Sequence, residues 1–163
     1  MEQKKPVRPK ERFLVFGAPA IEEPEIMEVT ASMKSGWLGT GPKVAQFENS
    51  IRNYLRADNT IAVNSCTAAL HLSILAAGIK TGDEVITTPM TFCATVNAII
   101  HAGATPVLAD IDPITQNIAP KEIEKRITPR TKAILPVHFA GRPCDMDAIT
   151  SIAGTNGLQV IED

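Results

Sequence analysis

The sequence predicts an α/β protein: three layers, with a mostly parallel sheet and helices on both of its faces. Three observations lead there. From Thr60 onward, short apolar runs alternate with helical segments at the spacing of βαβ units. The apolar runs are continuous rather than alternating, as expected of strands covered on both sides. The early helical segments close on glycines, Gly78 and Gly103, which tolerate the left-handed backbone that ends a helix. Strands connected in this way require right-handed crossovers.

The elements follow in order. In "EPEIMEVTASMKSG", Ile26, Val29 and Met33 recur at helical spacing and Gly36 is placed to cap the end. In "GPKVAQFENSIRNYLRA", Pro42 suits a first helical turn, and Val44, Phe47, Ile51, Tyr54 and Leu55 form one apolar stripe. "TIAVN" reads as a short buried strand and "CTAALHLSILAAG" as the helix after it. "DEVITT" is a strand, "TFCATVNAIIHAG" a helix and "ATPVLAD" a strand. "PKEIEKRI" is a helix, "TKAILPV" a strand, "DMDAITSIAGTNG" a helix, and "LQVIE" the last strand.

Composition removes several function classes. Of the 163 residues, 44% are hydrophobic and 21% charged, which is a globular composition and not a disordered one. A net charge of -2 offers no electrostatic footprint for nucleic acid or an anionic membrane. The one basic cluster, "KKPVRPK", reads as a solvated terminal arm. No apolar run approaches the ~18 residues of a membrane span, and the basic start lacks the apolar core of a secretory signal. Three scattered cysteines, Cys66, Cys93 and Cys144, form neither a disulfide framework nor a zinc site, so the reducing cytoplasm is the expected compartment.

In open parallel sheets ligands bind beyond the carboxyl ends of the strands, so the residues just past each strand carry the functional information. "VNSCTAAL" starts a helix with small polar residues, leaving backbone N–H groups and the positive dipole end for an anion. Ser65 and Thr67 could add hydroxyls and Ala68 permits close approach; alone, the pattern reads more readily as plain N-capping by Ser65 or Thr67. The stretch is neither a GxGxxG fingerprint nor a Walker loop. Phe92, at the start of the next helix, could cover a flat ligand, although by itself it reads as core. Asp110 and Asp112 in "ADIDPIT" fit a turn better than a metal site, since no third acidic ligand is near. No metal is expected. His138 directly follows a strand, Arg142 could contact an anion or lie on the surface, and Asp145 or Asp147 reads as an N-cap. Asp163, after "QVIE", is a carboxylate at a buried strand end, which demands a partner. A protonated pyridine nitrogen is one such partner, given a phosphate near Ser65 to Ala68 and a flat ring over Phe92.

In that order, "SGWLGTGPKVAQFE", "VNSCTAALHL", "GDEVITTPMTFCATVNAIIHAGATPVLADID", "ITPRTKAILPVHFAGRPCDMDAI" and "LQVIED" resemble the DegT/DnrJ/EryC1/StrS sugar aminotransferases. The resemblance runs from about Phe13 onward and is nearest to members acting on UDP-linked 4-keto-pentoses. It implies a fold-type I large domain, pyridoxal phosphate as cofactor, a nucleotide-linked keto-sugar as acceptor, an amino acid such as glutamate as donor, and a homodimer. By the same resemblance, Thr67 and Ala68 match the pair that binds the cofactor phosphate, beside the Ser65 hydroxyl noted above, and Phe92 matches the ring-stacking aromatic. Asp163 matches the partner of the ring nitrogen, and His138 a histidine close to the cofactor. Gly36, Trp37, Leu38 and Gly39 match a stretch near substrate and dimer interface. Residues 1–50 then form an arm and helices beside substrate and interface, and residues 51–163 the first half of the cofactor-binding domain. One departure matters. The family's Schiff-base lysine lies beyond the ring-nitrogen aspartate, and no lysine of this chain stands in a matching position. The chain is therefore expected to be the N-terminal part of such an enzyme and inactive alone. Two further readings stay open: the related pyridoxamine-phosphate sugar dehydratase, and a non-catalytic ligand-binding relative.

Overall fold

The computed structural model describes residues 19–163, which divide into two units, one ending at Ala62 and one spanning Val63–Asp163. The division falls later than the boundary at residues 50–51 expected from the sequence, a point that the second helix crosses unbroken.

The first unit holds two helices, α1 (Glu23–Ser35) and α2 (Pro42–Leu55). At the start of α1 the Glu22 backbone N–H donates to Glu25 Oε2 at 2.8 Å, using a donor the helix cannot satisfy internally. Gly36, at φ 73°, caps the end with its N–H on the Met33 carbonyl. Pro42 occupies the first turn of α2, where its missing N–H costs nothing. A Lys43–Glu28 ion pair links the helices, and Glu48 Oε1 accepts the Ala62 N–H at 2.8 Å. The apolar stripe of α2 forms as spaced, yet neither helix buries a residue within the unit.

"TIAVN" is the one expected strand that does not form. Thr60–Asn64 carries no strand pairing, and Ile61 is 81% exposed. A strand is defined by its neighbour, and among the described residues none lies beside this segment.

The second unit is built on four parallel strands: β1 (Glu84–Thr87), β2 (Thr105–Leu108), β3 (Thr131–Leu135) and β4 (Gln159–Val160). Their order in the sheet is β2-β1-β3-β4. Helix α3 (Cys66–Ala76) precedes β1. Helices α4 (Cys93–His101), α5 (Pro120–Glu124) and α6 (Met146–Asn156) cross between successive strands.

Side-chain alternation along β1 and β3 sorts the core into two layers. Val85, Ala133 and Leu135 pack with Leu70 and Ile74 of α3 and with Ala98 and Ile99 of α4. Ile86 and Ile134 point the other way, against Ile123 of α5 and Ile149 and Ala153 of α6. All four residues of β1 are buried, the polar Glu84 and Thr87 as well as Val85 and Ile86. The chain leaves β1 toward β2 and then crosses back over β1 to β3. The strand order therefore reverses between β1 and β3, and the crevice beyond their carboxyl ends is the favoured ligand position of this architecture.

Candidate functional site

Asp163 stands beyond the carboxyl end of β4, and its backbone is tied to the segment after β3. Its N–H donates to the Pro136 carbonyl at 3.0 Å, and its carbonyl accepts the His138 N–H at 2.9 Å. The backbone pairing thus continues three residues past both strands and fixes where the side chain starts.

That side chain reaches the first turns of two helices. Thr95 Oγ1 donates to Asp163 Oδ2 at 2.5 Å, and the Cys66 thiol donates to Oδ1 at 3.7 Å. Cys66 opens α3 and Thr95 lies in the opening turn of α4, so the carboxylate sits at two positive helix ends. Thr95, 1% exposed, is the buried element of this contact, and its hydroxyl lies 2.6 Å from Thr91 Oγ1. Partial desolvation pushes the Cys66 thiol above its ordinary value, and the charge and hydrogen bond of Asp163 add to that. A helix N-terminus ordinarily lowers a thiol pKa; here the carboxylate opposes it.

At the start of α3, Ser65 is the N-cap, its Oγ accepting the Ala68 N–H at 3.1 Å. Thr67, on the first turn, is exposed, so its hydroxyl and the adjoining backbone face solvent. Phe92 is the N-cap residue of α4 and is 78% exposed. Its reading as a core residue fails: the ring is presented outward, one turn from the Thr95 that holds Asp163.

His138 is held from three sides. Besides the backbone bond to Asp163, its Nδ1 accepts the Cys144 N–H at 3.0 Å and its Nε2 lies 2.9 Å from Glu162 Oε2. With Nδ1 occupied as acceptor, the proton of the neutral ring sits on Nε2 and is donated to Glu162. Behind this loop, Asn117, 4% exposed, donates Nδ2 to the carbonyls of Arg142 and Pro143 at 2.9 Å each and accepts the Phe139 N–H at 3.0 Å.

Of the residues singled out in the sequence, Asp163 and His138 are joined by their backbones, and Asp163 reaches the helix starts that carry Ser65, Thr67, Ala68 and Phe92. Gly36, Trp37 and Leu38 lie in the first unit, where the indole N–H of Trp37 donates to the Thr40 carbonyl at 3.0 Å. Asp112 is an Asx-turn residue, its Oδ1 accepting from the Ile114 and Thr115 N–H groups, and no metal-ligating cluster occurs among the described residues. Asp145, not Asp147, caps α6. Thr95, Cys66, Glu162 and Asn117 were not singled out as site residues. Thr95 is one of three polar side chains on α4, with Asn97 and His101, so nothing local in the sequence marked it out.

A doubly covered parallel sheet, with a strand-exit carboxylate held at two helix starts, places the chain among three-layer α/β proteins whose ligands sit at the strand-order reversal. The chain belongs to the DegT/DnrJ/EryC1/StrS aminotransferase family, whose model matches residues 19–163. SpsC of Bacillus subtilis (strain 168), a spore coat polysaccharide biosynthesis protein, is 55% identical over 157 residues, 96% of this chain and 40% of SpsC. The aminotransferase from Psychrobacter cryohalolentis superposes with a TM-score of 0.85 at 39% identity, covering 89% of this chain and 37% of that one. NtdA of Bacillus subtilis, solved with bound cofactor PMP, gives a TM-score of 0.82 at 37% identity, covering 94% of this chain and 38% of NtdA. The fold is accordingly that of the fold-type I aminotransferases, and the chain spans about 40% of the length of SpsC.

Proposed function

We propose that this chain is the N-terminal, cofactor-holding part of a pyridoxal-phosphate-dependent sugar aminotransferase. The acceptor is a nucleotide-linked keto-sugar, the donor is glutamate, and the working form is a cytoplasmic homodimer. The observation that carries this reading is the carboxylate of Asp163. It accepts only neutral donors, Thr95 and Cys66, and among the described residues no lysine, arginine or histidine side chain lies within ion-pair distance of it. A partly buried carboxylate in that state is incomplete. A protonated ring nitrogen completes it, so the residues present fit the cofactor.

Pyridoxal phosphate, when bound, supplies an electron sink that stabilises negative charge at the carbon losing its proton. The residues of this chain prepare for that. Asp163 would hold a proton on the ring nitrogen, and Phe92 would stack on the ring. Ser65, Thr67 and Ala68 hold the phosphate at the start of α3, where backbone N–H groups and the helix dipole favour an anion. His138, tied to Glu162 and to the Cys144 N–H, would stand close to the cofactor. Gly36, Trp37 and Leu38 belong to the sugar-binding side. None of the lysines among the described residues serves as the proton carrier: Lys34, Lys43, Lys80, Lys121, Lys125 and Lys132 are all exposed, and Lys132 lies near the amino end of β3. Residues 19–163 are therefore expected to hold cofactor without themselves supplying a Schiff-base lysine.

The test is titration with pyridoxal phosphate followed by borohydride and peptide mass mapping. The expected result is reversible binding that Asp163→Asn weakens about tenfold or more, roughly 1.4 kcal/mol, with no lysine of residues 19–163 fixed. Absence of binding, or a fixed adduct on one of the six lysines, overturns the reading.

A further inference from the structure

We infer that Thr95, with Thr91 behind it, is the positioning residue that fixes the rotamer of Asp163 and so aims its carboxylate at the ligand. The inference rests on the cofactor reading above and adds a residue to it.

The direction of the hydrogen bonds follows from their chemistry. An ionised carboxylate only accepts, so the Thr95 proton goes to Asp163 Oδ2. Thr95 Oγ1 has then spent its one proton, and the 2.6 Å contact with Thr91 requires the Thr91 hydroxyl to donate. The result is a directed chain, Thr91 O–H to Thr95 O–H to Asp163, in which each bond polarises the next. Thr95 is buried, and as a β-branched residue on a helix its χ1 is restricted. Its hydroxyl is thus a fixed point from which the carboxylate is held. Cys66, by contrast, is exposed and its 3.7 Å contact is a weak thiol bond, so it follows the carboxylate rather than placing it.

That weak contact makes Cys66 a reporter. A carboxylate held beside the thiol suppresses the thiolate, and one released to swing away no longer does. The experiment is site-resolved alkylation of Cys66 against pH, read by peptide mass spectrometry on the protein as its gene encodes it, without cofactor. Asp163→Asn is expected to speed alkylation at pH 8 about three- to tenfold. Thr95→Val should recover more than half of that acceleration, and Thr95→Ser, which restores the hydroxyl, should stay near the parent. If Thr95→Val lacks the circular dichroism of the parent, Thr91→Val carries the decision, with a smaller change in the same direction. A valine variant that alkylates at the parent rate or slower, or an Asp163→Asn variant that does, overturns the inference. The titration needs no cofactor. Failure to bind pyridoxal phosphate with the expected Cys66 pattern would strike the functional reading alone, and the reverse result would strike the positioning role alone.

Discussion

Glu84 offers the most direct test of how the sheet is held. It opens β1 with a buried side chain, an unusual place for a carboxylate. Thr128 Oγ1 donates to its Oε2 at 2.5 Å, and Arg130 donates Nε and Nη2 to its Oε1 at 2.9 and 2.5 Å. The Thr128 bond first, then the Arg130 bond, hold the carboxyl below the ordinary range. Glu84→Gln keeps the shape and removes the charge, so three charge-assisted bonds become neutral ones or are lost. A charge-assisted bond exceeds a neutral one by ~1 kcal/mol. Arg130 is itself largely exposed and partly screened, which brings the expected loss to about 2 kcal/mol. Urea unfolding at pH 7 reads this as a midpoint lower by roughly 1 M, with m in the usual 1–3 kcal/mol/M range. The pH dependence has a definite sign. A lowered folded-state value means that the stabilisation is complete above the unfolded value of about 4.3 and is lost as pH falls through the folded value. The parent and Glu84→Gln curves should therefore converge in acid. Equal stability at pH 7, or a gap that stays constant down to the onset of acid unfolding, would refute the argument.

Other expectations follow from the same contacts. Asn117→Ala should cost about 2–4 kcal/mol, because two carbonyls and one N–H of the loop after β3 lose their partner; faster amide exchange at Phe139 would show it. Ile99→Ala, in the layer between the sheet and helices α3 and α4, should lose about 2–5 kcal/mol in thermal or urea unfolding. Gly41→Ala would place its Cβ 2.0 Å from Trp37 Nε1, so the indole must move; a changed tryptophan emission spectrum is the readout. Gly157→Ala, at φ 64°, should destabilise the end of α6 by roughly 1 kcal/mol in unfolding experiments.

The second unit was largely legible in the sequence because burial on both faces leaves a strong local mark. Short strand-like runs such as "EVIT" and "TKAIL" stand between helices with recognisable ends, and apart from "TIAVN" each expected strand formed. "TIAVN" carries the same mark without the outcome, since composition reports that a segment is apolar and not that a neighbour lies beside it. The site divides similarly. Asp163, Phe92 and the start of α3 could be read because each is locally unusual: a carboxylate after a strand, an aromatic and a small polar run at helix starts. Their linkage could not. Thr95 and Cys66 meet Asp163 across 68 and 97 residues, and the pairing of His138 with Glu162 spans 24. Such pairs are products of strand order, which no local pattern encodes.

Those same separations order events in time. Contacts distant along the chain close late in folding, because the loop between them must be confined first. The α3–α4 layer and the β1–β2 pair can assemble from nearby residues, whereas Asp163 meets Cys66 and Thr95 only after β3 has docked and β4 has been laid against it. An emerging chain would thus carry its helix starts exposed, with no carboxylate between them, until β4 is in place, which makes this junction one of the later contacts to form.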